Sequence, residues 1–388
     1  MTLVNPAYLG REQTLVKHTV LRQYLTALAL IVGRTFARDI VFVDCCSGPW
    51  ETVTDDLSDS SVGIAIQQLR LARDMLNGEG RSVTFRCLFA EEKPSTFAQL
   101  KKFCDAVTDI EVEALPGDFT QHIPAIQRFV ARRNKSFPFF FIDPTGWTPL
   151  QINPLTPLLR TDPGEVLINF MTSHIRRFLS AEGKDFDALL GQQPLDEIQK
   201  LSGQERDDAA LFTYAGHVRQ RGNFPYVCTT VVLNPERNES HFHLIYATRH
   251  HKGVEVFKQA ERKAREVMTM ARAEIKERKR IDCTQQRELF TVEEHGAAPD
   301  RQLVALCDRY QGRAKELVQE HLVRNRLRRV PYETVWQIAC LFPLVWETDL
   351  RRWIREWKGN VTIVGMEPKQ RVPKCDAGNV LIWNDQSQ

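Results

Sequence analysis

Leu15, Leu21, Leu25, Leu28 and Val32 recur at helical spacing and predict a helix over residues 14–36. The pattern then changes to Ile40-Val41-Phe42-Val43, an unbroken β-branched and aromatic run of the kind a buried parallel strand needs. A helical stretch follows at 62–76. Next come Thr84 to Ala90 and Ile110 to Leu115, read as a second and a third strand on either side of a helix near 95–107. Phe137-Pro138-Phe139-Phe140-Phe141-Ile142 and Glu165-Val166-Leu167-Ile168-Asn169-Phe170 supply a fourth and a fifth. Strands alternating with helices predict an α/β fold with a largely parallel sheet. Residues 181–218 read as a polar helical insertion. Beyond it, Tyr226–Leu233 and His241–Ala247 flank a turn-rich segment, a hairpin suited to an antiparallel end of that sheet.

Phe257, Ala260, Ala264, Met268, Ala271 and Ile275 make one apolar stripe, predicting a long helix from about 253 to 280. Its other faces are charged: residues 249–280 hold eleven basic and five acidic side chains. After Ala297-Ala298-Pro299, helical stretches at 301–323, 332–340 and 345–357 precede two short β-branched runs at 360–364 and 379–383. Helices followed by a two-strand ribbon predict a winged-helix-like α+β unit. The expected division is 1–248, 249–290 and 291–388.

Composition narrows the classes. A chain of 388 residues, 43% apolar, is long enough for two or three domains and is neither disordered, collagenous nor coiled coil overall. The apolar run Tyr24–Gly33 falls short of the ~18–20 residues of a membrane span and lacks signal-peptide flanks, so a soluble, cytoplasmic chain without a membrane partner is expected. Nine scattered cysteines, two of them adjacent, form neither a disulfide framework nor a zinc array. The net charge of +3 hides an asymmetry. Residues 1–248 carry 25 basic and 29 acidic groups, whereas 249–388 carry 27 and 20. A basic half points to an anionic partner, or simply to unequal solvated faces.

The chemistry-bearing residues fall at the carboxyl ends of the predicted strands, where open α/β sheets bind ligands. Strand one is followed by Asp44-Cys45-Cys46-Ser47-Gly48-Pro49-Trp50, in which Gly48 would let backbone N–H groups approach a ligand. Glu91 and Glu92 end strand two with carboxylates suited to ribose hydroxyls, and Gly117-Asp118 would place another near an adenine amine. In order, these acids point to an adenosyl-containing cofactor; singly, each is as well explained by capping or solvation. After strand four, Asp143-Pro144-Thr145-Gly146-Trp147 puts a carboxylate where burial without a partner is expensive. Asp143 and a nearby carbonyl could hold an amino group, and Trp147 could stack on a base. The alternative is a capping Asp and a core Trp. His241 and His243 share one strand face without an evident third ligand, so no metal site is expected. There is no G-x-S-x-G, H-E-x-x-H, Walker loop or G-x-G-x-x-G, which removes the corresponding enzyme classes.

Taken with Lys17-His18-Thr19-Val20-Leu21, Glu92-Lys93, Leu167-Ile168-Asn169-Phe170, His243 to Arg249 and Lys252-Gly253, these motifs make residues 14–290 resemble the three-Cys-motif partner family. That family is similar to S-adenosylmethionine-dependent methyltransferases. The resemblance implies a Rossmann-like methyltransferase sheet, S-adenosylmethionine as cofactor, and a partner protein carrying a three-cysteine motif. On that basis Asp44, Cys46, Gly48, Pro49, Glu92, Gly117 and Asp118 are expected to hold the cofactor. Asp143, Pro144 and Trp147 are expected to serve the acceptor. Cys45, Cys46 and Trp50 depart from the family's glycine-rich turn, and Thr145-Gly146 departs from the Asp-Pro-Pro-aromatic signature of amine methylation.

Two arginine groups complete the inventory: Arg324, Arg326, Arg328 and Arg329, then Arg351, Arg352 and Arg355, which on a winged helix would neutralise phosphates. The expectation is a methyltransferase acting on nucleic acid. The alternatives are a non-catalytic nucleic-acid-binding scaffold with Trp50 closing the cleft, and a nuclease using the strand-end acids as metal ligands.

Overall fold

The structure, a computed structural model, describes residues 5–48, 52, 57–178, 186–284 and 300–384. Its main sheet is built from β1 (Asp39–Asp44), β2 (Thr84–Glu91), β3 (Glu111–Pro116), β4 (Ser136–Ile142), β5 (Glu165–Phe170), β6 (Tyr226–Leu233) and β7 (Ser240–Thr248). Their spatial order is β3-β2-β1-β4-β5-β7-β6. Strands one to five run parallel, and β7 is antiparallel to both β5 and β6. This is the expected Rossmann-like methyltransferase sheet with an antiparallel hairpin at one side. The order reverses at β1, leaving a crevice above the carboxyl ends of β1 and β4.

The strands alternate between two apolar faces. Ile40, Phe42, Phe85, Phe89, Phe139 and Phe141 face a layer formed by α1 (Glu12–Thr35), α2 (Ser61–Gly78), α3 (Pro94–Ala106) and α10 (His251–Thr284). Val41, Val43, Leu88, Phe140, Ile142 and Ile168 face α4 (Ile123–Val130), α5 (Ile152–Leu159), α7 (Asp187–Leu190), α8 (Gln192–Gln199) and α9 (Gly203–Gly222). A short α6 (Thr172–Phe178) links β5 to that second layer. By length and composition α1 could cross a membrane, but Val20, Leu21, Tyr24, Leu25 and Ala29 are fully buried between the sheet, α2 and α10, which makes it a core helix.

The segment expected as a polar insertion is therefore part of the core. Leu189, Leu190, Leu211, Tyr214, Ala215 and Val218 cover one sheet face. Its charged residues concealed that because Asp207 and Asp208 are themselves buried, paired with Arg176 and Arg309. All six residues of the predicted α10 stripe are buried, along with Lys258 and Glu261, which pair at 3.1 Å, and Arg272. Part of the charge on that helix thus faces inward, while Arg262, Lys263, Lys276 and Lys279 remain exposed. Arg272 donates to the carbonyls of Asn234 and Arg237 in the β6–β7 turn and to Asp300 at 2.9 Å, clasping that turn to the start of the next helix.

The C-terminal unit runs α11 (Arg301–Arg324), β8 (Val330–Pro331), α12 (Tyr332–Leu341), α13 (Glu347–Glu356), β9 (Val361–Val364) and β10 (Val380–Trp383). Its antiparallel sheet has the order β8-β10-β9, giving the expected winged-helix-like unit. It docks through α12 on β6, where Thr229 donates to the Leu341 carbonyl at 2.6 Å and Lys258 to that of Phe342 at 2.7 Å. One continuous apolar cluster extends from Val16 to Trp383, so this unit shares the core of the main sheet.

Candidate functional site

Two cavities meet above the carboxyl ends of β1 and β4. The inner one, about 290 Å³, is lined by Cys46, Gly48, Glu91, Glu92, Gly117, Asp118 and the Asp143–Gly146 turn, among others. The outer one, about 240 Å³, shares Cys46, Gly48, Asp143, Pro144 and Thr145 and adds Lys17, His18, Asn169 and His241. Five of the seven residues expected around the cofactor therefore converge on the inner cavity. Pro49, like Trp50, lies outside the described residues.

Asp44 is the exception. It is fully buried beneath the turn and lines neither cavity. Its carboxylate accepts from the Ser61 hydroxyl at 2.6 Å and the Cys46 N–H at 3.1 Å, so it fixes the β1–α2 turn from below. Burial, reinforced by the nearby Asp143 charge, pushes its pKa up to about 7 against those two hydrogen bonds and Lys17.

At the end of β2 the neighbouring acids divide the work. Glu92 is exposed at the rim, whereas Glu91 is buried, accepts the Lys93 N–H at 2.8 Å and faces Gly48. A Cβ at Gly48 would lie 2.1 Å from Glu91 Oε2, so any side chain there would have to push the Glu91 carboxylate out of its place. Gly117 adopts φ +97° and donates its N–H to the Glu91 carbonyl at 2.9 Å, turning the chain out of β3. Asp118 borders the cavity while its Oδ1 accepts the Thr120 N–H at 2.9 Å, so the expected cap is present on a residue that also faces the hollow. The Cys46 thiol lies between the cavities; burial first, then Cys45, Asp44 and Asp143, hold its pKa well above the usual thiol value. It stays a thiol at neutral pH, unreactive as a nucleophile.

Asp143 borders both cavities, but its carboxylate already has partners. One carboxylate oxygen accepts from Asn169 Nδ2 at 2.6 Å and the other is ion-paired with Lys17 Nζ. An acceptor amine would have to share that carboxylate with an ammonium already in place. Trp147 departs from expectation: it stacks on Phe186 with ring centroids 4.9 Å apart and lines neither cavity, so this face is taken by core. Pro144 borders both cavities, as expected.

Lys17, Asn169 and His18 carry roles that sequence reasoning misses; all three stand in the family-like motifs without a role assigned to them. Asn169 Oδ1 is buried and has no partner among the described residues, an acceptor that a bound N–H could satisfy. His18 is bonded through Nδ1 to the Tyr8 hydroxyl at 3.0 Å. Burial, followed by the charges of Lys17, Arg22 and Arg11, lowers its pKa and keeps it neutral. His241 is half-buried in the outer cavity, whereas His243 is buried against the Thr172 hydroxyl at 2.6 Å. Among the described residues, no three of His, Cys, Asp and Glu gather as a metal ion would require.

The predicted arginines separate into two groups. Arg351 pairs with Glu347 at 2.8 Å and Arg352 with Asp349 at 3.1 Å, while Arg355 Nε donates to its own helix. Arg351 and Arg352 are thus matched by acids of α13, whereas Arg355 is exposed and has no ion-pair partner among the described residues. Arg324, Arg326, Arg328 and Arg329 are exposed together at the end of α11. Only Arg324 among these four is ion-paired within the described residues, to Glu320 at 3.4 Å.

No family model matches the chain, and no curated protein matches it. The resemblance to the three-Cys-motif partner family therefore rests on the motifs alone. Among solved structures, the chain is similar to a loganic acid methyltransferase with SAH (10% identity, 71% of this chain and 90% of that one, TM-score 0.33). It is also similar to an O-methyltransferase from Bacillus cereus in complex with SAH (13%, 63% and 92%, TM-score 0.30). A DUF519 protein from Legionella pneumophila is a third (10%, 61% and 85%, TM-score 0.33). Scores of this size add nothing to the strand order described above, on which the fold assignment rests.

Proposed function

We propose that this protein is an S-adenosylmethionine-dependent methyltransferase acting on nucleic acid, working with a partner that carries a three-cysteine motif. The observation that carries the reading is the pair of joined cavities at the topological switch point, with a glycine pressed against a strand-end carboxylate. These residues fit the cofactor. Gly48 and Gly117 give backbone approach, Glu91, Glu92 and Asp118 offer carboxylates to hydroxyl and amine donors, and the outer cavity opens from the same turn. When bound, the cofactor would supply an electrophilic methyl group. The chain's own contribution is to orient the acceptor in line with it and to keep water out. Lys17 and Asn169 fix the Asp143 carboxylate, Asn169 Oδ1 offers an acceptor for an N–H, and the half-buried His241 could take up a released proton.

Isothermal calorimetry with S-adenosylmethionine tests the inner cavity directly, and Asp143→Ala tests the outer one. The variant should lose methyl transfer to nucleic acid while its cofactor affinity stays within a few-fold. Unchanged turnover would remove Asp143 from the mechanism. One observation favours a second reading, the non-catalytic scaffold: Asp143 is already paired with Lys17. Under that reading the well-folded protein binds no cofactor at all.

A further inference from the structure

The cleft and the exposed arginines lie at opposite ends of the molecule. The β6–β7 turn is at the carboxyl edge of the sheet, and Arg272 ties it to Asp300, which caps the start of α11. From there α11 runs 24 residues, about 36 Å at ~1.5 Å per residue, to Arg324. Arg324 borders a hollow of about 340 Å³ with Arg219, Pro225 and Val227, where β6 begins at the opposite edge. Next to it, Arg160 donates to the Arg221 carbonyl at 3.1 Å and borders an open hollow of about 610 Å³ with Lys135.

Lys135, Arg160, Arg219, Arg221 and Arg326 are all exposed, and among the described residues none makes an ion pair. The acids facing the two hollows are already engaged, Asp162 by Arg249 at 3.6 Å and Glu320 by Arg324 at 3.4 Å. Exposed cations with no acidic partner repel one another in the free protein, and a polyanion relieves that repulsion.

We propose that Lys135, Arg160, Arg221, Arg219, Arg324 and Arg326 form a continuous track for a nucleic-acid backbone along the edge of the sheet opposite the cleft. The track takes phosphates rather than bases, because it consists of long, exposed cationic side chains. It rests on the nucleic-acid part of the proposed function and makes this end a docking site remote from the chemistry. A strand held here must bend around the winged-helix-like unit, or extend beyond it, to enter the outer cavity.

The test uses the full chain with Lys135→Gln, Arg221→Gln and Arg326→Gln combined, since no side-chain hydrogen bond of these three exists among the described residues. Binding to a fluorescent 30-base-pair duplex is measured across a salt series. Affinity should fall at least about tenfold near 0.1 M salt, and the slope of log K against log salt should shrink by up to ~0.9 for each phosphate that is no longer neutralised. A control variant, Lys101→Gln, Lys102→Gln and Lys263→Gln, removes equal charge elsewhere. An equal loss in the control would reduce the effect to net charge and overturn the track. An unchanged slope in the first variant would do the same, as would binding to vesicles of anionic lipid with none to duplex. Cofactor calorimetry on the same variant reads the cleft separately, so failure of the track and failure of the methyltransferase reading give different results.

Discussion

The two ends of this molecule handle charge in opposite ways. At the carboxyl edge, Lys17, Asp143, Arg11 and Asp59 are largely buried and each holds a partner, with Arg11 and Asp59 2.6 Å apart. At the other edge, Lys135, Arg221 and Arg326 stand in solvent, without an ion-pair partner among the described residues. Buried pairs are specific and costly to break, because removing one member strands the other. Exposed cations are nearly independent, screened by salt and individually dispensable. The cleft should therefore respond sharply to single atoms, and the far edge only to summed charge.

The largest expected effect is at Gly48. Gly48→Ala forces a methyl group against Glu91 Oε2 and should lower S-adenosylmethionine affinity at least a hundredfold, with circular dichroism unchanged. Gly146→Ala, where a Cβ meets nothing within 4 Å, is the comparison and should cost far less. Equal affinities in the two variants would show that the inner cavity is not the cofactor site. Lys17→Met comes next. It leaves the Asp143 carboxylate with only Asn169, and both members of the broken pair are under one-sixth exposed. Unfolding by urea should show a loss of about 2 kcal/mol, and turnover should fall at least a hundredfold while cofactor affinity holds. A stability change under ~0.5 kcal/mol would place this pair with the surface salt bridges instead.

The same contrast explains what could be read from the chain. All seven long strands, α1, α10 and the three C-terminal helices were legible, because all but the half-exposed edge strand β3 bury a stripe or an unbroken run whose period survives in the sequence. Helices α4 and α5 were not predicted; α5 holds Pro154 and Pro157 within eight residues, which breaks the usual pattern. The strand-end acids were legible as a series, but Glu91 could not be told from Glu92 without knowing which side chain turns inward. Lys17 is a hundred and twenty-six positions from Asp143, so nothing local reveals the pair. The far-edge track was half legible. Arg324, Arg326, Arg328 and Arg329 form a visible run, whereas Lys135, Arg160 and Arg221 join it only through folding.

Acid titration probes the buried end more gently. The native state holds the Asp44 proton more tightly than the unfolded chain does, with a pKa of about 7 against ~3.9 unfolded. The stability contributed by that protonated group is complete below pH ~4 and is lost as pH rises through 7. Asp44→Asn keeps an acceptor for the Ser61 hydroxyl and removes the charge. Its melting temperature should gain on the wild type steadily from pH 4 to pH 7 and stay level above pH 8. A gain that is constant over this range would mean that Asp44 ionises normally in the folded protein.

The smallest effect belongs to the far edge, and it completes the comparison because it predicts almost nothing for stability. Arg326 is exposed and unpaired among the described residues, so its guanidinium keeps its water in both the folded and unfolded states. Arg326→Gln should therefore change the unfolding free energy by less than ~0.5 kcal/mol. Repulsion from Arg324 and Arg328 makes the expected sign slightly stabilising, most visibly at low salt where the Debye length reaches ~30 Å. Arg351→Gln is the matched case on α13, where the Glu347 pair at 2.8 Å is removed and the sign should be destabilising. Chemical denaturation of both variants at ~0.01 M and ~1 M salt separates them. The Arg326 gain should vanish at high salt, while part of the Arg351 loss persists, because that side chain is half-buried against Tyr332 and its packing remains after its charge is screened. A destabilised Arg326 variant would show that the far edge is held by contacts of its own, and the division between the two ends would fail there.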